Sequence, residues 1–140
     1  MISKTQLTVR YAETDQMGIV HHSNYPIWYE AGRTDFIKGL GMTYSQVEEQ
    51  GVLLPLLELH CKYIKAARYE DEIIVETWVS RLTTVKIEFS YRVYRKQDGV
   101  LLNTGSTVHG MVTKELRPIH MKKEKPELYA MLEQALVVEE

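Results

Sequence analysis

Residues Glu13–Tyr29 read ETDQMGIVHHSNYPIWY. A short polar loop with carboxylates and two adjacent histidines runs straight into an aromatic, apolar segment. Ser23 or Asn24 can cap a helix at that junction, and Pro26 fits a first helical turn. Beyond it Tyr25, Trp28, Tyr29, Gly32, Phe36, Ile37 and Leu40 recur at helical spacing. That spacing predicts a helix from about Asn24 to Leu40. Ala31 and Gly32 are small and would let this helix lie close against a sheet. Gly39 and Gly41 end it.

Outward from this helix the chain is mostly strand. Before the loop, residues 4–11 alternate Leu7, Val9 and Tyr11 against Thr8 and Arg10, which predicts a half-buried strand. After the helix, a short helical piece is expected over Ser45–Gln50. Leu57, Leu59, Cys61 and Tyr63 then alternate with Glu58, His60 and Lys62. Ile73, Val75, Thr77 and Val79 alternate with Glu76 and Ser80. Val85, Ile87, Phe89, Tyr91 and Val93 alternate with Lys86, Glu88, Ser90, Arg92 and Tyr94. Asp98-Gly99 makes a hairpin turn into a last strand over roughly Val100–Thr113. A polar helix, Lys125–Val137, closes the chain. Clean alternation and hairpin turns imply an antiparallel sheet with one buried face. With one long helix to cover that face, the expected α+β architecture is a five-stranded sheet wrapped around a central helix.

Composition narrows the class. The chain has 140 residues, 44% hydrophobic and 26% charged, which fits one domain over residues 1–140 with a core of its own. Its formal charge is −2, and no basic stripe interleaves with aromatics, so no nucleic-acid partner is expected. One cysteine, Cys61, excludes an internal disulfide and fits a reducing compartment. The N-terminus lacks the apolar core of a secretory signal, and no run of about 18 apolar residues predicts a membrane span. The expected address is the cytoplasm. His21, His22, His60, Cys61, His109 and His120 lack zinc-like spacing, so no metal site is expected. Neither a phosphate-binding glycine loop nor a G-x-S-x-G elbow is present, and no cofactor is expected.

Asp15, Gly18, Ile19, Val20, His22, Asn24 and Tyr25 resemble the signature of hotdog-fold acyl-CoA thioesterases. The nearest groups are the 4-hydroxybenzoyl-CoA thioesterases and the Tol-Pal-associated bacterial acyl-CoA thioesterases. YIKAARYEDEIIVET, Tyr63–Thr77, resembles their second and third strands, and ELRPI, Glu115–Ile119, the end of their last strand. The resemblance spans about residues 5–120. It implies a sheet wrapped on a helix and acyl-CoA as substrate. It also implies homodimers joined sheet edge to sheet edge, often paired into homotetramers, with active sites at the dimer interface.

Thioester hydrolysis needs a base or nucleophile near the carbonyl carbon and donors near its oxygen. By the resemblance, Asp15 is the carboxylate and the backbone N–H at His22 the chief oxyanion donor. The sequence leaves open whether Asp15 attacks directly or activates water, with the second favoured because the His22 imidazole could share proton handling. It also leaves open whether His22 acts through its side chain or only its backbone. Asn24 and Tyr25 either line the acyl pocket or serve as cap and core aromatic. Trp28 and Tyr29 read as core, His21 as a neighbour, Glu13 as solvated, and Glu30 as a paired structural carboxylate. Coenzyme A carries phosphates, so basic residues should flank the pocket mouth. Members of the 4-hydroxybenzoyl group can place a basic cluster after the third strand. Here that place departs from the pattern and reads Leu82-Thr83-Thr84-Val85, with only Arg81 and Lys86 flanking it, and Arg117 resembles a basic family position near the end of the last strand. Each of these three could equally be a solvated surface charge; Lys65 and Arg68 are weaker candidates. Competing readings are an acyl-carrier-protein thioesterase, a hotdog hydratase and a non-catalytic acyl-CoA binding module.

Overall fold

The period-two runs become one antiparallel sheet. The structure is a computed structural model that describes residues 1–137; residues 138–140 of the expected 1–140 domain lie outside the described residues. The strands are β1 (Ser3–Thr8), β2 (Leu56–Tyr63), β3 (Glu72–Leu82), β4 (Lys86–Arg95) and β5 (Leu101–Gly110). Their order across the sheet is β1-β3-β4-β5-β2, with every neighbour antiparallel. The helices are α1 (Asn24–Gly39), α2 (Tyr44–Glu49), α3 (Met121–Glu124) and α4 (Pro126–Ala135).

Helix α1 lies across the inner face of the sheet. Tyr25, Trp28, Tyr29, Gly32, Phe36 and Ile37 form its buried side, matching the spacing read from the sequence. Phe36 meets Phe89 of β4 edge to face with ring centroids 5.6 Å apart, and Tyr29 stacks on Tyr91 at 4.1 Å. Gly32 permits the close approach to β3, because a Cβ there would press on Thr77 and sit 3.2 Å from Val75 Cγ1. Gly105 does the same under Tyr29: a Cβ would lie 2.6 Å from the His60 carbonyl oxygen of β2. Neither the ring nor the paired strand can retreat, so Gly105→Ala should destabilise the fold by about 1–3 kcal/mol. Thermal melts at matched concentration check this; an unchanged midpoint would show that the helix does not sit this close.

A polar chain runs through the core. The Arg33 guanidinium donates to Tyr91 Oη (3.1 Å), and Tyr91 Oη and Thr107 Oγ1 are 2.6 Å apart. His109 Nδ1 lies 3.1 Å from the Leu54 carbonyl oxygen, which only accepts, so Nδ1 carries the proton. Nε2 is then left to accept from the Thr107 hydroxyl at 2.8 Å. Burial, helped by the nearby Arg33 charge, pushes His109 down to about 4, which keeps it neutral at physiological pH.

Four expectations change. The first strand stops at Thr8 instead of residue 11, because the Arg10 N–H is captured by the Glu13 carboxylate (2.8 Å) and the chain turns. Tyr11 therefore stands 75% exposed. The closing helix is not polar: Leu128, Leu132 and Ala135 are buried. Leu128 and Leu132 join Met121, Met111 and Ile37 of α1 over Ile87 and Phe89, so α1 is not the sole cover. The third difference is β2, whose alternation predicts a half-buried strand. Its apolar side chains Leu57, Leu59 and Tyr63 are 51%, 42% and 49% exposed. This strand lies at the sheet edge, where α1 reaches Tyr63 and Cys61 through Tyr25 and Tyr29 but leaves Leu57 and Leu59 in solvent. Fourth, Glu30 is exposed on α1 and makes no ion pair within 4 Å among the described residues, because its neighbour Arg33 turns inward to Tyr91.

Candidate active site

The loop between β1 and α1 is tied at every turn. Thr14 and Val20 form an isolated antiparallel bridge. The Asp15 N–H donates to the Ile19 carbonyl and the Gly18 N–H to the Asp15 carbonyl, both at 2.9 Å. Asp15 Oδ1 accepts from the Met17 N–H at 2.8 Å, an Asx turn that uses one carboxylate oxygen and leaves the other without a partner among the described residues. Gly18 sits at φ +77°, where a side chain would be strained.

Glu13 is the anchor of this loop, and the sequence reading of it as solvated is corrected. It is 5% exposed. Its Oε1 accepts from the Arg10 N–H, and its Oε2 accepts from the buried Trp28 indole at 2.8 Å. Its backbone carbonyl takes the His21 N–H (2.8 Å) and the Asn24 side-chain amide (2.9 Å). A carboxylate can be buried when donors satisfy it, and here the indole at position 28 supplies one. The periodicity of Trp28 marked it as core but carried no signal of this partner.

Asp15, His22 and Tyr25 line one cleft of about 290 Å³, together with Met17, Ile19 and Tyr63. Tyr25 is 3% exposed, so it serves the core and the cleft together. Asn24 is used in stitching: its amide donates to the Glu13 and His21 carbonyls at 2.9 and 3.1 Å. Ser23 occupies the position before α1, yet its hydroxyl turns to His21 Nδ1 (2.8 Å) and makes no cap. Among the described residues the His22 N–H has no hydrogen-bond acceptor, and it stands at the positive end of the α1 dipole. The His22 carbonyl accepts from Tyr63 Oη at 3.0 Å. Partial burial and the neighbouring Cys61 hold the Tyr63 phenol up at about 12, so it remains a donor. Tyr63 is a cleft residue that strand alternation could not reveal, since its partner lies 41 positions away.

The Asp15 carboxylate and the start of α1 at His22 thus line one cleft. The family model of the thioesterase-like superfamily matches residues 9–136. The chain belongs to the thioesterase-like superfamily. With it come the hotdog fold and the enzyme class, thioester hydrolase. A Bacillus subtilis (strain 168) protein named "Putative acyl-CoA thioesterase YneP" is 40% identical over 135 residues, 96% of this chain and 97% of its own. Acyl-CoA thioesterase YbgC of Haemophilus influenzae is 34% identical over 88 residues, 62% of this chain and 65% of its own. A solved DHNA-CoA thioesterase from Staphylococcus aureus superposes with a TM-score of 0.89 at 32% identity, covering 95% of this chain and 89% of that one.

The basic residues of this superfamily member do not all gather at the cleft. Arg81 and Lys86 share a separate cleft of about 410 Å³ with Glu58 and Glu88, at the other end of the sheet from Asp15. Arg117 is exposed in the loop after β5, its N–H held by Thr113 Oγ1 at 3.2 Å. Within one chain none of the three lines the Asp15 cleft. Among the described residues no group of three or more His, Cys, Asp or Glu side chains is placed to hold a metal ion.

Proposed function

We propose that the protein hydrolyses acyl-CoA thioesters to the free acid and CoA, with Asp15 as general base and the His22 N–H as oxyanion donor. The observation that carries this is the shared cleft: it is lined both by Asp15, one of whose carboxylate oxygens has no hydrogen-bond partner among the described residues, and by His22, whose N–H at the helix start has no acceptor among them. Asp15 takes a proton from water as its oxygen adds to the carbonyl carbon. The negative oxygen rests against the His22 N–H. The C–S bond then breaks, and CoA leaves as a thiolate that takes up a proton. Direct attack by Asp15 would instead give a mixed anhydride. The open, water-accessible cleft and the adjacent His22 imidazole favour the water route. A single turnover in ¹⁸O-water separates them, since label in the Asp15 side chain means direct attack. Thiol release from a panel of acyl-CoAs tests the activity itself; no release from any member would sink the hydrolase reading.

The proposal includes a homodimer, able to pair further into a tetramer. The outer edge of β2 has no strand partner among the described residues, and Leu57 and Leu59 continue in an exposed apolar strip into Tyr63 and Ile64 (40% exposed) of the cleft wall. Natural sheets seldom leave such an edge bare. Two-fold pairing of β2 with itself would cover the strip. It would also bring the partner's opposite sheet end, which carries Arg81 and Lys86, toward this cleft. Leu59→Glu should convert dimer to monomer in size-exclusion chromatography with light scattering and lower thiol release in parallel. A dimer that persists would place the interface elsewhere. The single thiol and the finding that no described helix is long and apolar enough to cross a membrane support a cytoplasmic address. The 1–140 span is taken as one catalytic domain.

A further inference from the structure

One wall of the Asp15 cleft is the segment that leaves β2. Ile64, Lys65 and Ala66 line the cleft, and the Ala67 carbonyl is clamped to the loop by the Val20 N–H at 2.9 Å. Tyr69 follows two residues on, so its backbone lies within roughly 7 Å of that clamp. It meets Tyr11 edge to face, with ring centroids 5.6 Å apart. Both rings stand in solvent outside the core, 52% and 75% exposed.

The backbone of this segment is fixed while its side chains are free. The Arg68 N–H donates to Asp71 Oδ2 (2.9 Å), the Glu70 N–H to the Val9 carbonyl (3.1 Å), and Asp71 is engaged by Arg95 at 3.2 Å. Glu70 holds a left-handed φ of +70°, strained for a residue with a side chain. Lys65 and Arg68 are exposed, and neither has a carboxylate within 4 Å among the described residues. Glu70 is the exposed carboxylate on the same segment. Two exposed cations on the segment that carries Tyr69, with Tyr11 packed against that ring, match a phosphorylated nucleotide, whose phosphates seek cations and whose base seeks a ring.

We propose that Lys65, Arg68, Tyr69 and Tyr11 form the nucleotide subsite for coenzyme A, with the pantetheine arm running from there to Asp15. This rests on the acyl-CoA reading above and reverses the sequence ranking, in which Arg81, Lys86 and Arg117 came first. Within the chain those residues lie away from the cleft, and although the proposed dimer would bring the partner's Arg81 and Lys86 toward it, Glu58 and Glu88 beside them offset their charge. Lys65 lies in the cleft wall itself.

Calorimetric binding of CoA and of pantetheine, without turnover, tests it on the full-length protein. The double variant Lys65→Gln/Arg68→Gln should weaken CoA by about tenfold, the equivalent of 1.4 kcal/mol, with a much smaller effect on pantetheine. Tyr69→Ala should weaken CoA by about fivefold or more, the low end for loss of a stacked base. The wild-type preference for CoA over pantetheine should shrink as salt rises. CoA affinity unchanged in the double variant would overturn the proposal. So would an equal loss for both ligands, or a loss confined to Arg81→Ala/Lys86→Ala. A protein that binds CoA through these residues but releases no thiol would overturn the hydrolase reading and leave the subsite standing. Normal hydrolysis with unaltered CoA binding in the double variant would overturn the subsite alone.

Discussion

Asp15→Asn is expected to lower kcat on the best acyl-CoA of a panel by about 10²–10⁴-fold, with stability within about 0.5 kcal/mol of wild type. The local geometry separates the two effects. Asp15 Oδ1 accepts the Met17 N–H, and an asparagine oxygen can do the same. The remaining ties of this loop, from Asp15 to Ile19 and from Gly18 to Asp15, are backbone bonds that ignore the side chain. Only the second carboxylate oxygen changes, from a free acceptor able to take a proton into an amide that cannot. The His22 N–H stays in place, so KM should move little. Steady-state thiol release alongside thermal melts measures both quantities. Turnover retained in a folded Asp15→Asn protein would remove Asp15 from the mechanism and leave the helix-start N–H as the surviving element.

Glu13→Ala should cost both stability and rate. The substitution strips the acceptor from the buried Trp28 indole, and an unsatisfied buried donor costs about 1–3 kcal/mol. It also frees the Arg10 N–H and with it the turn that delivers the chain from β1 into the loop. The backbone carbonyl of Glu13 holds His21 and Asn24, so loosening this residue shifts the His22 N–H relative to Asp15. A misplacement of about 1 Å at a reacting geometry can cost about 10²-fold in rate. Glu13→Gln keeps one acceptor oxygen and should fall between Ala and wild type in both readouts. The pairing of a lower melting midpoint with lower kcat is the signature. A loss of kcat with an unshifted midpoint would instead make Glu13 a participant in the chemistry.

Much of this was legible in the sequence because it depends on local periodicity. Helix α1 was readable from the spacing of Tyr25, Trp28, Tyr29, Gly32 and Phe36. β3 and β4 were readable because their inner faces are covered, so burial enforces a two-residue alternation along most of their length, broken in β3 where Trp78 is buried beside Thr77 and Val79. The Asp15 loop stood out as an unusual run of polar types against a helix start. β2 shows the limit: its alternation is as clean as that of its neighbours, yet at the sheet edge Leu57 and Leu59 on its apolar face stay in solvent. A pattern states which face is apolar. It does not state what covers that face.

The partners of side chains follow the same division. Local chemistry determines that Asp15 can close an Asx turn, that Gly18 can take a positive φ and that α1 begins near Asn24, because those outcomes depend on residues a few positions apart. Tertiary structure alone decided that Glu13 is buried under Trp28, that Tyr63 reaches the His22 carbonyl, and that Lys65 walls the cleft while Arg81 and Lys86 sit at the far end of the sheet. Each of these turns on the order β1-β3-β4-β5-β2, which brings together residues tens of positions apart. Charge and aromaticity are written in the sequence, but the distance between two such groups is set by the path the backbone takes through the sheet.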